Sequence, residues 1–565
     1  MAVTRRSICA LALIAAAGLA AVTAPALADN ITISGKVQYT GRTGAAAAAG
    51  AYGKFGVRGA KVYLIDRNIA IPDTIIAEGY LNDAGEYTFT VSSDDDEIGK
   101  GFIDPFIRVE ASTQPQGAAV KAAFTINKPG VIAGNAEAVG AVYDADSDFV
   151  NEASGNTAIN FDLDQTKVAH QAFAAFDAFT TASRFYAGLP GVAANTVPTT
   201  FPTATSTSSY FDGKMRVLGG DRYDWDVIAH EYGHYIQSRH GLLNTPGGDH
   251  SLDKNLRFSR GTGGSDLAGG AAALNRRSAD RLAFNEGSAT WLSMVAQQVT
   301  NTSARGVQRA GDLLWNDNDD ADGIGGGAGV YSVESRTTPA FASLGEDNEV
   351  AVTRILYDLF DATNEAADRD RVTMSHTSLF KLMDDNDTNT LSDFWAALST
   401  APGTTNARRI DYGAIFQAHN VAPAPDEVHQ GKFYTPDTIG QLFFSWAVPT
   451  GGQGPAFDTQ LLHDFKVLIF DDLYNEVMDS GWLGNPPDGF YLSQAQQDLL
   501  LGAQGLYRWI VVGREVTTEN NEGGVGTFGY TTGGYWSDQL LFRTVPTPTT
   551  LALLGLAGLA ARRRR

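Results

Sequence analysis

The sequence predicts a multidomain α+β chain in which a mainly helical domain is flanked by two β-sandwich domains. Three observations carry that expectation. Residues 30–164 alternate apolar and polar side chains with a period of two, the apolar spacing changes at Asp164 to that of a helix, and the alternation returns after Pro423 and Pro425. At 565 residues the chain exceeds what a single core serves, since domains run to about 100–200 residues. Hydrophobic content of 43% and aromatic content of 10% are those of folded protein.

Taken in order, residues 1–28 read as a secretory signal. Arg5 and Arg6 form a basic start, Ile8 to Val22 an apolar run, and Ala24-Pro-Ala-Leu-Ala28 a small-residue stop. The opposite end, 545–565, carries two prolines, eleven apolar residues from Leu551 to Ala561 and four terminal arginines. That apolar run would span roughly 16 Å as a helix, about half the hydrocarbon thickness, so it predicts at most a transient membrane association. VPTPTTLALLGLAGLAARRRR resembles the PEP-CTERM sorting tails of Gram-negative bacteria, with Thr547 at the motif's Glu position. The resemblance implies an exported chain, extracellular or at the cell surface, and an exosortase-type sorting machinery as a partner.

Without these ends, Lys+Arg falls from 42 to 36 against 64 Asp+Glu, so the net charge moves from −22 to −28. A chain this acidic lacks the basic surface that phosphate contacts need, which argues against nucleic-acid partners. The single cysteine, Cys9, lies in the signal, so the mature chain forms no disulfides.

In 29–164, Ile31–Ser34, Lys36–Tyr39, Lys61–Ile65 and Tyr87–Val91 read as strands, with a turn at Asn82-Asp-Ala-Gly85. GVRGAKVYLID followed by GEYTFTV resembles the carboxypeptidase regulatory or transthyretin-like β-sandwich over residues 30–125. From 165 to 425 the pattern is mainly helical. Val168, Ala172, Phe176 and Phe179 open it, with Asp164 as the expected cap and Gly188-Leu-Pro190 as the stop, and further helices are expected at 227–240, 283–297 and 350–361. In 426–544, the runs 442–446, 465–470 and 507–512 predict a sandwich of fibronectin or immunoglobulin type.

The chemistry centres on DVIAHEYGHYIQSRH, residues 226–240. His230, Glu231 and His234 form the HExxH pattern, which is a strong signal when it lies on a helix. Four residues apart, the two imidazoles differ by about 40° around the axis, so both reach one ion about 2.0–2.1 Å away. Glu231, about 100° from His230, is placed to act as a base on water at that ion, passing the proton to a leaving amine. For a third ligand, Glu286 in Phe284-Asn-Glu-Gly-Ser-Ala-Thr-Trp-Leu-Ser293 is preferred, in the first turns of a second helix. His240 is the alternative, at the spacing of the HExxHxxGxxH metzincin signature; Gln237 stands at the Gly position, so a continuing helix would turn His240 about 120° from His234.

HEYGH followed by NEGSA resembles the gluzincin metallopeptidases, the thermolysin-like and fungalysin-like group, over residues 165–422. That resemblance implies zinc held by His230, His234 and Glu286, with Glu231 as catalytic base. Thr290 and Ser238 stand where the family commonly, and thermolysin itself, have an aspartate, so the imidazoles must be oriented by other groups or the ion held less tightly. Tyr210–Leu218 looks like the family's edge strand, on which an extended peptide can pair.

An oxyanion donor is expected among Tyr331, Tyr357, Tyr412, His376 and His419, whereas His170, His250, His429 and His463 stand alone and read as structural or surface residues. Asn316–Gly323 gathers oxygen ligands as calcium loops do, but no Glu follows at the twelfth position, so a solvated acidic loop is preferred to a Ca2+ site. Together these features predict a secreted or surface-sorted zinc endopeptidase acting on polypeptides. The alternatives are a non-catalytic zinc-containing adhesion protein and a metzincin-type peptidase using His240.

Overall fold

The computed structural model describes residues 30–543, leaving out 44–50, 70, 95–100, 114–122, 133–134, 193–195, 206, 248–249, 251, 253, 258–275, 308, 317–329, 335–344, 363–370, 431–441, 449–461, 463, 485–488, 504, 521–526 and 532–533. The signal, the sorting tail, His463 and all but Asn316 of the acidic run 316–323 therefore lie outside the described residues. The chain is a multidomain α+β protein, and its backbone gathers into two compact units.

The first unit takes the described residues of 1–39, 55–110 and 144–164. Its longest strand begins the Asn30–Arg42 element, which joins in one strand the two runs that the sequence suggested. It pairs antiparallel with Glu86–Ser92 and parallel with Thr157–Ala158 and Phe161–Asp162. Ile31, Ile33, Val37 and Tyr39 are buried on alternate positions, and Gly35 holds the middle place in that series. A Cβ there would lie 1.9 Å from the Ile159 carbonyl oxygen, so only glycine lets the neighbouring backbone pass. The hairpin of Ala60–Asp66 with Thr74–Tyr80 and the pairing of Pro105–Thr113 with Asp144–Asp146 complete the unit, burying Val62, Leu64, Ile107 and Val109. The Asn82 side chain accepts from the amides of Ala84 and Glu86, which closes the expected turn.

The second unit takes the described residues of 40–54, 111–143 and 165–565. Strands Ala123–Ile132 and Thr196–Thr200 run parallel, Lys214–Arg216 adds to the latter, and the hairpin partner Ser209–Phe211 ends the row. Helix α1 (Val168–Ala187) packs on this sheet, with Phe176 and Phe179 4.8 and 5.3 Å from Phe124, ring centre to ring centre. The expected Asp164 cap is not used: Lys167 occupies the N-cap without a side-chain bond, while Gly188 does close the C-terminal end. Burial of α1 around nearly its whole circumference makes its stability a matter of packing rather than capping.

Helices α2 (Trp225–Arg239), α3 (Arg276–Val299) and α4 (Glu349–Phe360) follow, then α5 (His376–Asp385), α6 (Leu391–Thr400) and α7 (Asn406–Ala418). Helix α3 begins two turns before the apolar periodicity suggested. Its early turns are polar in sequence, yet Ser278 and Asp280 are buried. The strands expected near 442, 465 and 507 are present as Leu442–Ala447, Asp464–Phe470 and Leu506–Arg514, with α8 (Gln494–Ala503) between the last two. Leu468, Phe470, Ile510 and Val512 from these strands share a core with Ile410 of α7. No described helix is long and apolar enough to cross a membrane.

A buried arginine ties this unit together. Arg257 donates to both oxygens of Asp280 on α3, at 2.9 and 2.8 Å, to Glu515 at 3.0 Å, and to Glu346; its own amide donates to Asp347. Tyr535 donates to Glu346 from the far side. Burial pushes Glu346 up to about 7, with Asp280 adding to the rise against the opposing pull of Arg257. Replacing Arg257 with methionine leaves Asp280, Glu346 and Glu515 without their common counter-charge. The variant is expected to lose about 3–5 kcal/mol of unfolding free energy in urea titration, and a loss within experimental error would show that the network is not integral to folding.

Candidate metal centre

Helix α2 starts where the Asp224 carboxylate accepts from the Val227 amide at 3.1 Å, and it ends at His240 with Gly241 following at φ 74°. Helix α3 runs antiparallel beside it and is bonded to it at both ends. Ser293 and Gln297 donate to the Asp226 carbonyl and carboxylate at 2.9 and 2.7 Å. At the other end the Gln237 amide nitrogen donates to the Asn285 carbonyl at 2.7 Å and to the Ser288 hydroxyl at 2.8 Å. Midway, Gly233 faces Ala289 so closely that a Cβ would sit 2.9 Å from its carbonyl oxygen.

This crossing brings His230, His234 and Glu286 together. Glu286 Oε2 lies 3.2 Å from His230 Nε2 and 3.1 Å from His234 Nε2. Ligand atoms about 2.0–2.1 Å from a tetrahedral ion are about 3.3 Å apart, so the spacing fits a divalent cation between them. The far side of each ring is also engaged. His230 Nδ1 lies 2.9 Å from Thr290 Oγ1, and His234 Nδ1 lies 3.0 Å from Gln237 Oε1. Because the Gln237 amide nitrogen is committed to Asn285 and Ser288, its oxygen must face His234 and can only accept. His234 therefore carries a proton on Nδ1, so Nε2 is the nitrogen that a cation can take once its own proton is released. Thr290 and Gln237 thus take the orienting role for which the sequence offered no aspartate.

Burial would lower the pKa of His234, but the charge of Glu286, a hydrogen bond from it, and the charge of Glu231 outweigh burial and raise it to about 9. Glu286 is held well below the usual carboxylate range: burial opposes this, and the charges of His234 and His250 together with two imidazole hydrogen bonds prevail. Glu231 is 8% exposed, and its carboxylate takes no hydrogen bond or ion pair among the described residues, so it is free to handle a proton.

His240 is not part of this cluster. Its Nδ1 lies 3.1 Å from Asp384 and its Nε2 3.2 Å from the Tyr186 hydroxyl, because α2 runs on to Arg239 and carries the ring to another face. Glu286 sits in the middle of α3 rather than in its first turns. His250, read from sequence as isolated, is drawn in: its Nε2 lies 3.6 Å from Glu286 Oε2 and 3.4 Å from Glu349 Oε2. It comes from the connection between α2 and α3, where no periodicity flags a residue; the only signal was a histidine lying between the two motifs. Glu349 opens α4 behind the capping Asn348.

Of the expected oxyanion donors, Tyr331 is fully buried beside Trp315, whose ring lies 6.1 Å from His230, and its hydroxyl donates to Thr353 at 3.2 Å. His419 pairs with Asp358 at 2.7 Å in the core, His376 packs between Phe185 and Phe360, and Tyr357 and Tyr412 are buried. His170 is buried in α1. Ser238 accepts from the Tyr210 hydroxyl at 3.0 Å, which holds the end strand Ser209–Phe211 over α2.

No protein-family model matches the chain, and no curated protein matches it. A solved 9R-lipoxygenase from Cyanothece shares 8% identity at a TM-score of 0.15, over 31% of this chain and 27% of that one.

Two measurements check the centre. Gln237→Ala removes the acceptor behind His234 and is expected to weaken zinc binding about 10–100-fold in chelator competition; unchanged affinity would mean that Gln237 does not orient the ring. His234, protonated up to about pH 9 in the metal-free chain, must give up its Nε2 proton when a cation binds. Affinity should therefore rise with pH toward 9, with about one proton released per ion near neutrality, measured by calorimetry in buffers of different ionisation enthalpy. A pH-independent affinity would contradict the assignment.

Proposed function

We propose that this chain is a zinc-dependent endopeptidase of gluzincin type, exported from a Gram-negative cell, with β-sandwich domains on either side of its catalytic region. The observation that carries this reading is that one carboxylate oxygen of Glu286 lies within 3.2 Å of an imidazole nitrogen of both His230 and His234, beside an uncommitted Glu231. A closed structural site would add a fourth protein ligand, whereas three ligands leave one position for chemistry. Zinc held there supplies a Lewis acid that polarises a carbonyl and makes water a nucleophile near neutral pH.

The chain's own groups do the rest. His230, His234 and Glu286 hold the ion, with Thr290 and Gln237 fixing the ring orientations. Glu231 removes a proton from the attacking water and returns it to the departing amine nitrogen. The end strand Ser209–Phe211, bonded to α2 through Tyr210 and Ser238, offers an edge on which an extended polypeptide can lie, with main-chain pairing that tolerates many sequences. The placement of His240 on Tyr186 and Asp384 favours Glu286 over a third histidine as ligand.

Full-length protein loaded with zinc and incubated with an unstructured protein substrate is expected to cleave it. Glu231→Gln should lower the rate by about 10²–10⁴-fold while zinc content stays the same. Zinc-loaded wild type that cleaves nothing would instead make the centre a non-catalytic one.

A further inference from the structure

We propose that His250, Glu286 and Glu349 form a second divalent-cation site, which shares Glu286 with the His230 and His234 site and so rests on the zinc reading of that first site. Their ligand atoms lie within 4.8 Å of one another, with His250 Nε2 3.6 Å from Glu286 Oε2 and 3.4 Å from Glu349 Oε2. The two sets of ligand atoms are separate groups with only Glu286 in common. Atoms bound to one ion at about 2.0–2.1 Å cannot be more than about 4.2 Å apart, so one ion does not serve both sets.

The independent pointer is Glu349. Its side chain is 3% exposed, and its Oε1 is buried with no hydrogen-bond partner among the described residues. A carboxylate buried this deeply with one oxygen unsatisfied is costly unless a cation completes it. It is also held in place. Asn348 caps α4 at the Ala351 amide, and Gly287 packs so tightly that a Cβ would lie 2.5 Å from the Glu349 carbonyl oxygen.

The second carboxylate, Glu286, belongs to the same group and is buried too, so two acids converge on the single imidazole of His250. One nitrogen and carboxylate oxygens suit a first-row divalent ion such as Zn2+ or Mn2+. A carboxylate shared between two such ions sets them about 3.5–4 Å apart, the arrangement in which one holds an attacking oxygen and the other a leaving or carbonyl oxygen. His250, with 27% of its side chain exposed, opens this second position to solvent.

The experiment is metal content per chain after chelation, reloading with zinc chloride and removal of excess. Wild type is expected to hold two ions, His250→Ala and Glu349→Gln one each, and His234→Ala one. A single ion in wild type that survives in His250→Ala and Glu349→Gln would overturn the second site and leave the peptidase reading standing. A single ion lost in Glu349→Gln but kept in His234→Ala would uphold the second site and overturn that reading. If a variant fails to fold by circular dichroism, manganese-loaded wild type gives the answer alone: a spin-coupled electron paramagnetic resonance spectrum supports two adjacent ions, and isolated-ion signals refute them.

Discussion

Side chains on different helices can share an ion only if the helices pack face to face without intervening bulk, and here two glycines allow it. Gly233 lies inside the HEYGH motif against Ala289 of α3, and Gly287, beside Glu286, lies against Glu349 and Val352 of α4. At both places a Cβ would fall within 3.0 Å of backbone oxygen, closer than real contacts permit. Without the approach at Gly233, Glu286 would stand away from the two imidazoles, and without that at Gly287, Glu349 would stand away from Glu286. The histidine spacing supplies two ligands on one face, but Gly233 lets the third reach them.

Much of this was legible in the sequence because it is local. HExxH on a capped helix, an apolar helix carrying Glu286, and alternating strands near 31, 61, 87, 442, 465 and 507 all follow from periodicity within single segments. What escaped depends on partners far along the chain. The start of α3 was hidden because Asp280 looks like a surface residue until Arg257 neutralises it. Gln237 read as a departure from a glycine signature, and its use as a hinge between His234 and α3 needs the helix crossing. His250 carries no local pattern at all, and its place is set by where the connection between two helices passes.

Two clusters of buried charge in this unit have opposite solutions. Around Arg257 the carboxylates of Asp280, Glu346 and Glu515 meet the guanidinium and Asp347 accepts from the Arg257 amide, so these acids are satisfied within the protein. Around Glu286 the acids Glu286 and Glu349 face three imidazoles, whose charge depends on protonation. The first arrangement is structural ballast, and the second is built to accept positive charge from outside. Both use α3, which carries Asp280 near its start and Glu286 a turn and a half further on.

The closeness of α7 to the last strands has a bearing on biosynthesis. Gly413 touches the backbone of Trp536, Ile410 shares a core with Phe470 and Ile510, and Glu346 is met by Tyr535. The ligands, all within residues 230–349, leave the ribosome nearly two hundred residues before these supports do. The packing of the helical layer is therefore completed only by strands made after all of its ligands, across about a third of the chain's length.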